Sequence, residues 1–342
     1  MMSPPPNSAG PLLEYLALLR PFLDDANNTE VCINKPGQVL TEGRSGWVTH
    51  DTPELDFDRC LQLAKLIATF SQQKLDPQHP IVSATLPDGE RVQVVIPPAV
   101  RNGTVSLTIR RPADVVLTLA DYEAAGSFEE VRDYSVGLMP HETKLLDLKQ
   151  NRRFREFLEL AVTERQNIIV SGSTGAGKTT LMRSLLGLVP KDERLLSIEN
   201  VDELKLYQTH PNSISLFYSA GGQGAANITQ QHLLESALRM KPDRVFLAEL
   251  IRGDEAFYYL RNVNSGHPGS ITSMHANSAK LAIEQLVLFL KESSSGSTMT
   301  REDIKQLIFM CVDIIVQIKN INRRRVVTEV YYDPVFKRKL LG

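Results

Sequence analysis

The residues of this sequence best suited to chemistry lie in one glycine-rich segment, which matches G-x-x-x-x-G-K-[ST] in full. Glycines in such a segment let the backbone curl so that successive N–H groups point at phosphate oxygens. A lysine there reaches the β and γ phosphates of a nucleotide, and the hydroxyl that follows is a ligand for Mg²⁺. The segment therefore predicts a nucleotide-binding P-loop, composed of Gly172, Ser173, Thr174, Gly175, Ala176, Gly177, Lys178, Thr179 and Thr180.

The chain on both sides of the P-loop has the composition that this motif requires. Residues 167–171 are mostly apolar, as in a buried parallel strand, and residues 181–186 favour a helix. A helix that starts here presents the positive end of its dipole to the same phosphates. We therefore expect ATP and Mg²⁺ at this site, with Lys178 on the phosphates and Thr179 as the protein ligand of the metal. A P-loop alone does not choose among an ATPase, a GTPase, a kinase and a helicase.

Hydrolysis of a nucleotide also needs carboxylates near the phosphates, and two apolar segments lead to one. Residues 245–248 lead to Glu249, and residues 196–198 lead to Glu199, with further acids close behind. Ligands of open α/β sheets bind at the carboxyl ends of strands, so both side chains are expected at the site. A carboxylate there orients or deprotonates the attacking water, or holds the Mg²⁺ shell. The sequence leaves open which of the two is the base.

Two histidines, His267 and His275, flank a predicted strand at residues 271–274. No cysteine or third histidine lies near them in the sequence, which argues against a zinc site. As neutral hydrogen-bond donors, both histidines are suited to contact a γ-phosphate. A structural role for either histidine is an equally good interpretation of the sequence.

The residues up to about 112 predict helices and short antiparallel strands. Leucines between residues 12 and 23, and small or apolar residues between 60 and 68, recur at helical spacing. A Pro-Asp-Gly turn at 87–89 joins two apolar segments as a hairpin. Residues 104–110 alternate strictly, which directs their apolar side chains to one face and Arg110 to the other. This combination predicts an α+β domain.

Beyond residue 142 the pattern changes to helices that alternate with apolar strands, which is typical of a parallel α/β sheet. A mostly polar stretch punctuated by glycine and proline separates the two patterns. We expect an N-terminal α+β domain at residues 1–112, a linker at 113–142 and an α/β nucleotide-binding domain at 143–342. A glycine-rich stretch at 220–226 is expected to form a mobile loop.

Composition limits the class of protein. The chain has 342 residues, of which 42% are hydrophobic and 23% charged, as in a globular protein of two domains. No apolar run reaches the roughly 18 residues of a membrane-spanning helix, and the first residues lack the pattern of a signal peptide. The 3 cysteines are far apart, which excludes a disulfide framework and agrees with a reducing cytoplasm.

Charge is unevenly distributed along the chain. Residues 1–140 carry 11 Lys and Arg against 18 Asp and Glu, whereas residues 141–342 carry 27 against 22. An acidic first part is a poor electrostatic surface for nucleic acid, so we expect no sequence-specific binding of DNA or RNA. Part of the later excess lies in basic clusters at 323–325 and 337–339, which we interpret as solvated surface.

Four segments in this order resemble the traffic ATPases of bacterial secretion, whose relatives drive type II secretion and type IV pili. They are the P-loop, the acidic segment 198–204, the segment 238–244 that leads to Glu249, and the histidine segment 266–276. Residues 253–256 and 329–334 resemble the branch that serves type IV secretion and plasmid conjugation. The resemblance covers the second domain throughout and the first only weakly, through residues 96–98 and 109–112.

The resemblance implies a ring of six subunits, with ATP between the N-terminal domain and a RecA-like P-loop NTPase domain. It implies that Glu249 belongs to the Walker B strand, that Glu199 belongs to an Asp box and that the two histidines belong to a His box. In this family, arginines of the N-terminal domain approach the γ-phosphate. Arg110 is the candidate for that role here, with Arg111 and Arg101 as the alternatives.

The sequence departs from the family pattern at two places. Asn200 stands where the Asp box usually has its aspartate, so this position carries no carboxylate in this chain. The preceding position retains its carboxylate, that of Glu199. The family motif at this place is Glu-Leu-Arg-Gly, whereas this chain has an additional residue, Ile251, before Arg252. Because one extra residue at a strand end reverses the faces of the side chains that follow, we expect either a bulge at Ile251 or a displaced Arg252.

These observations favour a cytoplasmic, Mg²⁺-dependent ATPase that powers a type IV secretion or conjugation channel. We expect it in peripheral contact with the inner membrane and with the membrane components of the machine. Two other functions fit a P-loop ring. A nucleic-acid motor would need basic and aromatic pore loops, and the loop at 220–226 carries neither. A nucleotide-gated scaffold would bind ATP with scarcely any turnover. The sequence identifies neither the transported substrate nor the partner subunits.

Overall fold

A computed structural model describes residues 10–112, 116–131, 137–219, 226 and 228–341. Two β-sheets with surrounding helices organise these residues into a mixed α/β fold. Most of the glycine-rich stretch at 220–226, for which the sequence predicts a mobile loop, lies outside the described residues.

The first sheet, which we call the N-terminal sheet, has the strand order β3-β2-β1-β6-β5-β4, and every neighbouring pair is antiparallel. The predicted hairpin forms between β4 and β5, where Gly89 adopts the left-handed φ of +95° that its turn requires. The strands are β1 (Asn28–Ile33), β2 (Gln38–Gly43), β3 (Gly46–Asp51), β4 (Ile81–Thr85), β5 (Arg91–Val95) and β6 (Ser106–Arg110).

Three helices pack on one face of the N-terminal sheet: α1 (Gly10–Leu16), α2 (Arg20–Leu23) and α3 (Phe57–Phe70). The α3 helix begins where the Asp56 carboxylate accepts a hydrogen bond from the backbone N–H of Arg59. The apolar stripe of α3 is buried, as its spacing predicts, together with the apolar side chains of β6. Arg110 ends β6 on the opposite face, where Ser106 and Thr108 are buried and Arg110 alone of the strand is exposed.

The second sheet, the C-terminal sheet, consists of two hydrogen-bonded sets, β10-β8-β9 and β11-β7-β12-β13, joined by a bridge between Leu250 and Met274. Every neighbouring pair is parallel except β12 and β13. The apolar segment 245–248 that leads to Glu249 forms a strand only as far as Leu247, where regular pairing ends. The strands are β7 (Ile168–Ser171), β8 (Leu195–Glu199), β9 (Ser213–Phe217), β10 (Arg244–Leu247), β11 (Ile271–Met274), β12 (Ile314–Ile321) and β13 (Arg324–Tyr332).

Helices cover both faces of the C-terminal sheet. Ile169 faces one apolar core, whereas its neighbours Ile168 and Val170 face the other, so β7 is buried on both sides. Among the described residues, no helix combines the length and the apolar character needed to cross a membrane. The helices are α5 (Pro140–Gln150), α6 (Phe154–Thr163), α7 (Lys178–Leu186), α8 (Gln230–Ala237), α9 (Gly253–Val263), α10 (Ala279–Glu292), α11 (Arg301–Cys311) and α12 (Pro334–Leu341).

The stretch assigned to a linker contains helical structure. The helix α4 (Leu119–Ala124) has no buried residue, and a capping box between Thr118 and Asp121 supports its first turn. The helix α5 begins at Pro140, within the predicted linker. Residues 113–115 and 132–136 lie outside the described part of the chain. The boundaries 113 and 142 stay a prediction.

A fully buried arginine joins the two sheets. Arg194 Nη1 donates to the side-chain oxygens of Asn34 at 2.9 Å and Asn212 at 2.6 Å, and Nη2 donates to Thr108 Oγ1 at 3.1 Å. Its Nε donates to the carbonyl oxygen of Met240 at 2.8 Å. Asn34 and Thr108 belong to the N-terminal sheet and its loops, whereas Asn212 and Met240 belong to the C-terminal part. One guanidinium therefore satisfies buried polar groups on both sides.

A second set of contacts between the two sheets follows β5. Val100 forms an antiparallel bridge with Leu216 of β9, and the N–H of Phe217 donates to the carbonyl of Ala99 at 2.9 Å. Ala99 and Val100 also enter the apolar core that includes β9. The edge of β9 is thus paired by a segment of the N-terminal part.

Replacing Arg194 with methionine should destabilise the protein, since the buried side-chain oxygen of Asn34 loses its donor, whereas that of Asn212 keeps the Asn34 amide. An orphaned buried polar group costs about 1–3 kcal/mol, which for a chain of this size lowers the melting temperature by roughly 5 °C. Differential scanning calorimetry measures this shift. Arg183→Met, which changes an exposed arginine of α7, is the matched control. Equal melting temperatures of both variants and wild type would contradict this role of Arg194.

Candidate active site

The P-loop occupies the connection from β7 to α7, as predicted. A Cβ on Gly172 would lie 2.5 Å from the carbonyl oxygen of Ile318, so only glycine fits beside β12. Gly175 and Gly177 adopt φ values of +74° and +100°, which curl the loop. Ala176 is buried, whereas the outer part of the loop, Ser173, Thr174 and Gly175, is exposed. The loop therefore leaves its outer backbone open to a ligand.

Lys178, the first residue of α7, lies at the centre of a three-residue cluster. Its Nζ lies 3.4 Å from Glu249 Oε1 and 3.3 Å from His275 Nδ1, and His275 Nε2 lies 3.0 Å from the same Glu249 oxygen. A neutral imidazole that accepts at Nδ1 and donates at Nε2 satisfies both contacts. The structure thus brings together three residues that the sequence nominated separately.

Glu249 follows β10 by two residues, and its backbone is fixed on both sides. The N–H of Ala248 donates to the carbonyl of Ile198 at 3.0 Å, and that of Leu250 donates to the carbonyl of Ser273 at 2.8 Å. The side chain of Glu249 retains 29% of its exposure, so its carboxylate remains accessible to water. This combination of a fixed backbone and an accessible carboxylate suits a group that positions a water molecule.

Glu199 is fully buried, and both of its oxygens are engaged. Oε1 accepts from the hydroxyl of Ser197 at 2.6 Å, and Oε2 accepts from the backbone N–H groups of Glu203 at 2.9 Å and Leu204 at 2.8 Å. Burial raises the pKa of Glu199, and these hydrogen bonds oppose the rise. The structure gives Glu199 the role of holding the loop that follows β8, at a place where water does not reach it.

The loop held by Glu199 delivers a carboxylate that sequence reasoning did not single out. Glu203 Oε2 accepts a hydrogen bond from Thr179 Oγ1 at 3.1 Å. A threonine hydroxyl and a carboxylate oxygen are the hard donors that Mg²⁺ prefers, with phosphate oxygens and waters to complete its shell. Within the described residues no cluster of three or more His, Cys, Asp and Glu side chains could hold a metal alone. The donor set therefore fits a metal that shares its ligands with a nucleotide.

The three arginines considered from the sequence lie in different places. Arg101 faces the acidic loop after β8: its Nε lies 3.9 Å from Asp202 Oδ2, and its guanidinium stacks 3.7 Å above the ring of Tyr207. Arg111 Nη1 donates to backbone carbonyls that precede and begin β1. Arg110 is exposed and lies 3.6 Å from Glu30. Of the three, Arg101 lies beside the loop that contacts the P-loop.

Arg110 and His267 share a cleft of about 980 Å³ between the N-terminal sheet and the segment that precedes β10. Burial lowers the pKa of His267, which favours the neutral imidazole. The structure does not place either residue in contact with the cluster of Lys178, Glu249 and His275. Their predicted contact with the γ-phosphate stays a prediction.

The additional residue Ile251 lies in a loop, so no bulge within a strand accommodates it. Its side chain is exposed, and its N–H donates to the carboxylate of Glu255 at 3.2 Å. The N–H of Arg252 donates to the same carboxylate at 3.1 Å, immediately before α9. Because β10 ends at Leu247, the face-reversal rule for strands does not apply here.

Comparison with known proteins shows that this chain is similar to bacterial secretion system proteins along almost its whole length. The model of the family described as type II/IV secretion system protein matches residues 57–318. The type IV secretion system protein VirB11 of Bartonella quintana is 44% identical, over 97% of this chain and 95% of its own length. PtlH of Bordetella pertussis, also a type IV secretion system protein, is 37% identical over 93% and 94%.

A solved structure is similar to the complete fold. The VirB11 ATPase from the Brucella suis type IV secretion system, crystallised with sulphate, has a TM-score of 0.92 and 42% identity and covers 98% of both chains. The resemblance inferred from the four motifs is confirmed, and so is its type IV secretion branch.

Glu249→Gln should lower the turnover of ATP by about 10²–10⁴, the usual effect of losing a general base. The amide keeps the size of the side chain and cannot take a proton from water. Steady-state phosphate release at saturating ATP measures this effect. The control is Glu292→Gln, which changes an exposed carboxylate at the end of α10. Turnover within threefold of wild type would show that Glu249 is not the base.

Proposed function

The chain belongs to the family of type II/IV secretion system proteins, and we propose that it is the Mg²⁺-dependent ATPase of a type IV secretion or conjugation channel at the inner membrane. As a secretion ATPase it hydrolyses ATP. The observation that carries the proposal is the convergence of Lys178, Glu249 and His275 at the mouth of the P-loop.

The P-loop forms the binding site for the phosphates. Its curled backbone and the N-terminus of α7 offer N–H groups and a positive dipole end to the phosphate oxygens. The ammonium of Lys178, which lies 3.4 Å from Glu249 here, exchanges that carboxylate for the β and γ phosphates. ATP binding thereby releases Glu249 from its cation and turns it into an acceptor for the attacking water.

Hydrolysis then needs one proton transfer and one displacement. The oxygen of water bonds to the γ phosphorus, the bond from that phosphorus to the β–γ bridging oxygen breaks, and Glu249 accepts the proton of the water. His275, whose Nε2 lies 3.0 Å from the Glu249 carboxylate, fixes the orientation of that carboxylate through a donated hydrogen bond.

Mg²⁺ would be held by Thr179, with Glu203 beside it in its shell. When bound, the metal neutralises charge on the β and γ phosphates. Glu199 acts on this site from a distance, since its two backbone hydrogen bonds hold the turn from which Glu203 reaches Thr179. In this proposal Glu199 is a positioning residue and Glu249 is the base.

We further propose that residues 1–112 form the N-terminal domain, 113–142 the linker and 143–342 a RecA-like domain, in a ring of six subunits. Arg101 is better placed than Arg110 to respond to the γ-phosphate, because it lies against the acidic loop that contacts Thr179. Binding and hydrolysis would move this loop and with it the N-terminal domain, which transmits force to the channel. Its relatives are type IV secretion system proteins, which supports peripheral contact with the membrane components of such a machine.

The test of this proposal is Lys178→Ala, assayed for phosphate release over many turnovers. The variant should lose more than 99% of the activity and keep its fold, because Lys178 serves the phosphates. Lys280→Ala, an exposed lysine on α10, should behave as wild type.

Circular dichroism and the melting temperature verify that each variant is folded. Activity of Lys178→Ala within tenfold of wild type would contradict the assignment of the P-loop as the catalytic nucleotide site. A wild type limited to a single turnover would instead identify a nucleotide-gated scaffold. Activity that depends on DNA and falls steeply with salt would identify a nucleic-acid motor.

A further inference from the structure

The hairpin of β12 and β13 projects beyond the point where the P-loop leaves the sheet. β12 pairs with β7 in register, so Gln317 lies opposite Ser171, the last residue of β7. β12 then continues to Ile321, and the returning strand places Arg325 opposite Asn320. The hairpin therefore carries the basic cluster 323–325 to the edge of the sheet at which the P-loop begins.

Arg325 lies directly on the P-loop. A Cβ on Gly177 would meet Arg325 Cδ at 2.6 Å and Nε at 3.0 Å, so the side chain occupies the space that the glycine leaves open. Arg325 Nη1 donates to Thr180 Oγ1 at 3.2 Å. Arg325 is exposed to solvent, as its place in the basic cluster predicts, and its contacts with Gly177 and Thr180 place it in addition beside the P-loop.

The positive charge of Arg325 is not neutralised by its hydrogen-bond partner, Thr180. Thr180 offers a neutral hydroxyl, and among the described residues no carboxylate lies within 4.0 Å of the guanidinium nitrogens. Lys178, in contrast, is paired with Glu249. An exposed guanidinium with a neutral partner is available to a phosphate, which it binds through two parallel N–H groups.

The position of Arg325 along the P-loop indicates which phosphate of the nucleotide it contacts. Lys178 serves the β and γ phosphates, and Thr179 serves the metal between them. Thr180 lies one residue further into α7, and its partner Arg325 contacts neither Glu249 nor His275. We propose that Arg325 binds the nucleotide at its α-phosphate and so holds ATP and ADP alike. This inference rests on the proposed function of the P-loop.

The experiment compares nucleotide affinity with turnover. In Arg325→Ala, the Kd of ADP with Mg²⁺ and the KM of ATP should both rise about tenfold or more, as expected for the loss of charge-assisted hydrogen bonds to a phosphate. The kcat should stay within twofold of wild type, because the γ-phosphate and the base are untouched. Arg325→Lys keeps the charge and loses the two-pronged geometry, so it should weaken ADP binding by an intermediate factor.

Arg324→Ala is the matched control, since it removes an exposed arginine of the same hairpin and should bind ADP within twofold of wild type. A Kd of ADP in Arg325→Ala within twofold of wild type would overturn the proposal. So would a loss of affinity confined to ATP, which would place Arg325 on the γ-phosphate, or a fall in kcat with unchanged KM.

Failure of this inference and failure of the proposed function have different signatures. If wild type binds ADP and hydrolyses ATP while Arg325→Ala matches it, only the role of Arg325 is wrong. If wild type fails to bind ADP, or if Lys178→Ala binds and hydrolyses normally, the P-loop assignment fails and the role of Arg325 fails with it.

Discussion

Register between three parallel strands brings the candidate active site together. β7 pairs with β11 on one side and β12 on the other, so Ser171 lies opposite both Met274 and Gln317. Three segments therefore leave the sheet side by side: the P-loop after β7, His275 after β11, and the hairpin with Arg325 where β12 continues. A slip of one residue in either pairing would turn every side chain of that strand to the other face and dismantle the cluster.

The N-terminal sheet is attached to the β10-β8-β9 set of the C-terminal sheet at two places, one before β8 and one near the end of β9. Before β8, the buried guanidinium of Arg194 joins Asn34 and Thr108 to the C-terminal part. Near the end of β9, Val100 pairs with Leu216, and the next residue, Arg101, faces the acidic loop after β8. These contacts attach the N-terminal sheet to this edge of the C-terminal sheet at two separate places, and the second of them lies beside the acidic loop.

Sequence reasoning recovered the features that depend on local pattern. The P-loop, the buried strands and the strand-end position of Glu249 follow from motif and apolar period, and the structure brings Lys178, Glu249 and His275 together. The buried role of Glu199 could not be predicted, because it depends on how the loop after β8 turns back to offer two N–H groups. Arg325 could not be predicted either, since 145 residues separate it from Thr180 and only strand pairing brings them together.

A structure of the protein with Mg²⁺ and a non-hydrolysable ATP analogue tests most directly whether Glu249 is the base and Lys178 its switchable partner. We expect the triphosphate in the P-loop, with Lys178 on the β and γ phosphates. We also expect the Glu249 carboxylate within hydrogen-bond distance of a water in line with the γ-phosphate. The same structure would show whether Arg101 or Arg110 reaches that phosphate. A nucleotide bound elsewhere, such as in the cleft lined by Arg110 and His267, would contradict these roles of Lys178 and Glu249. So would a Glu249 that remains paired with Lys178 while the analogue is bound.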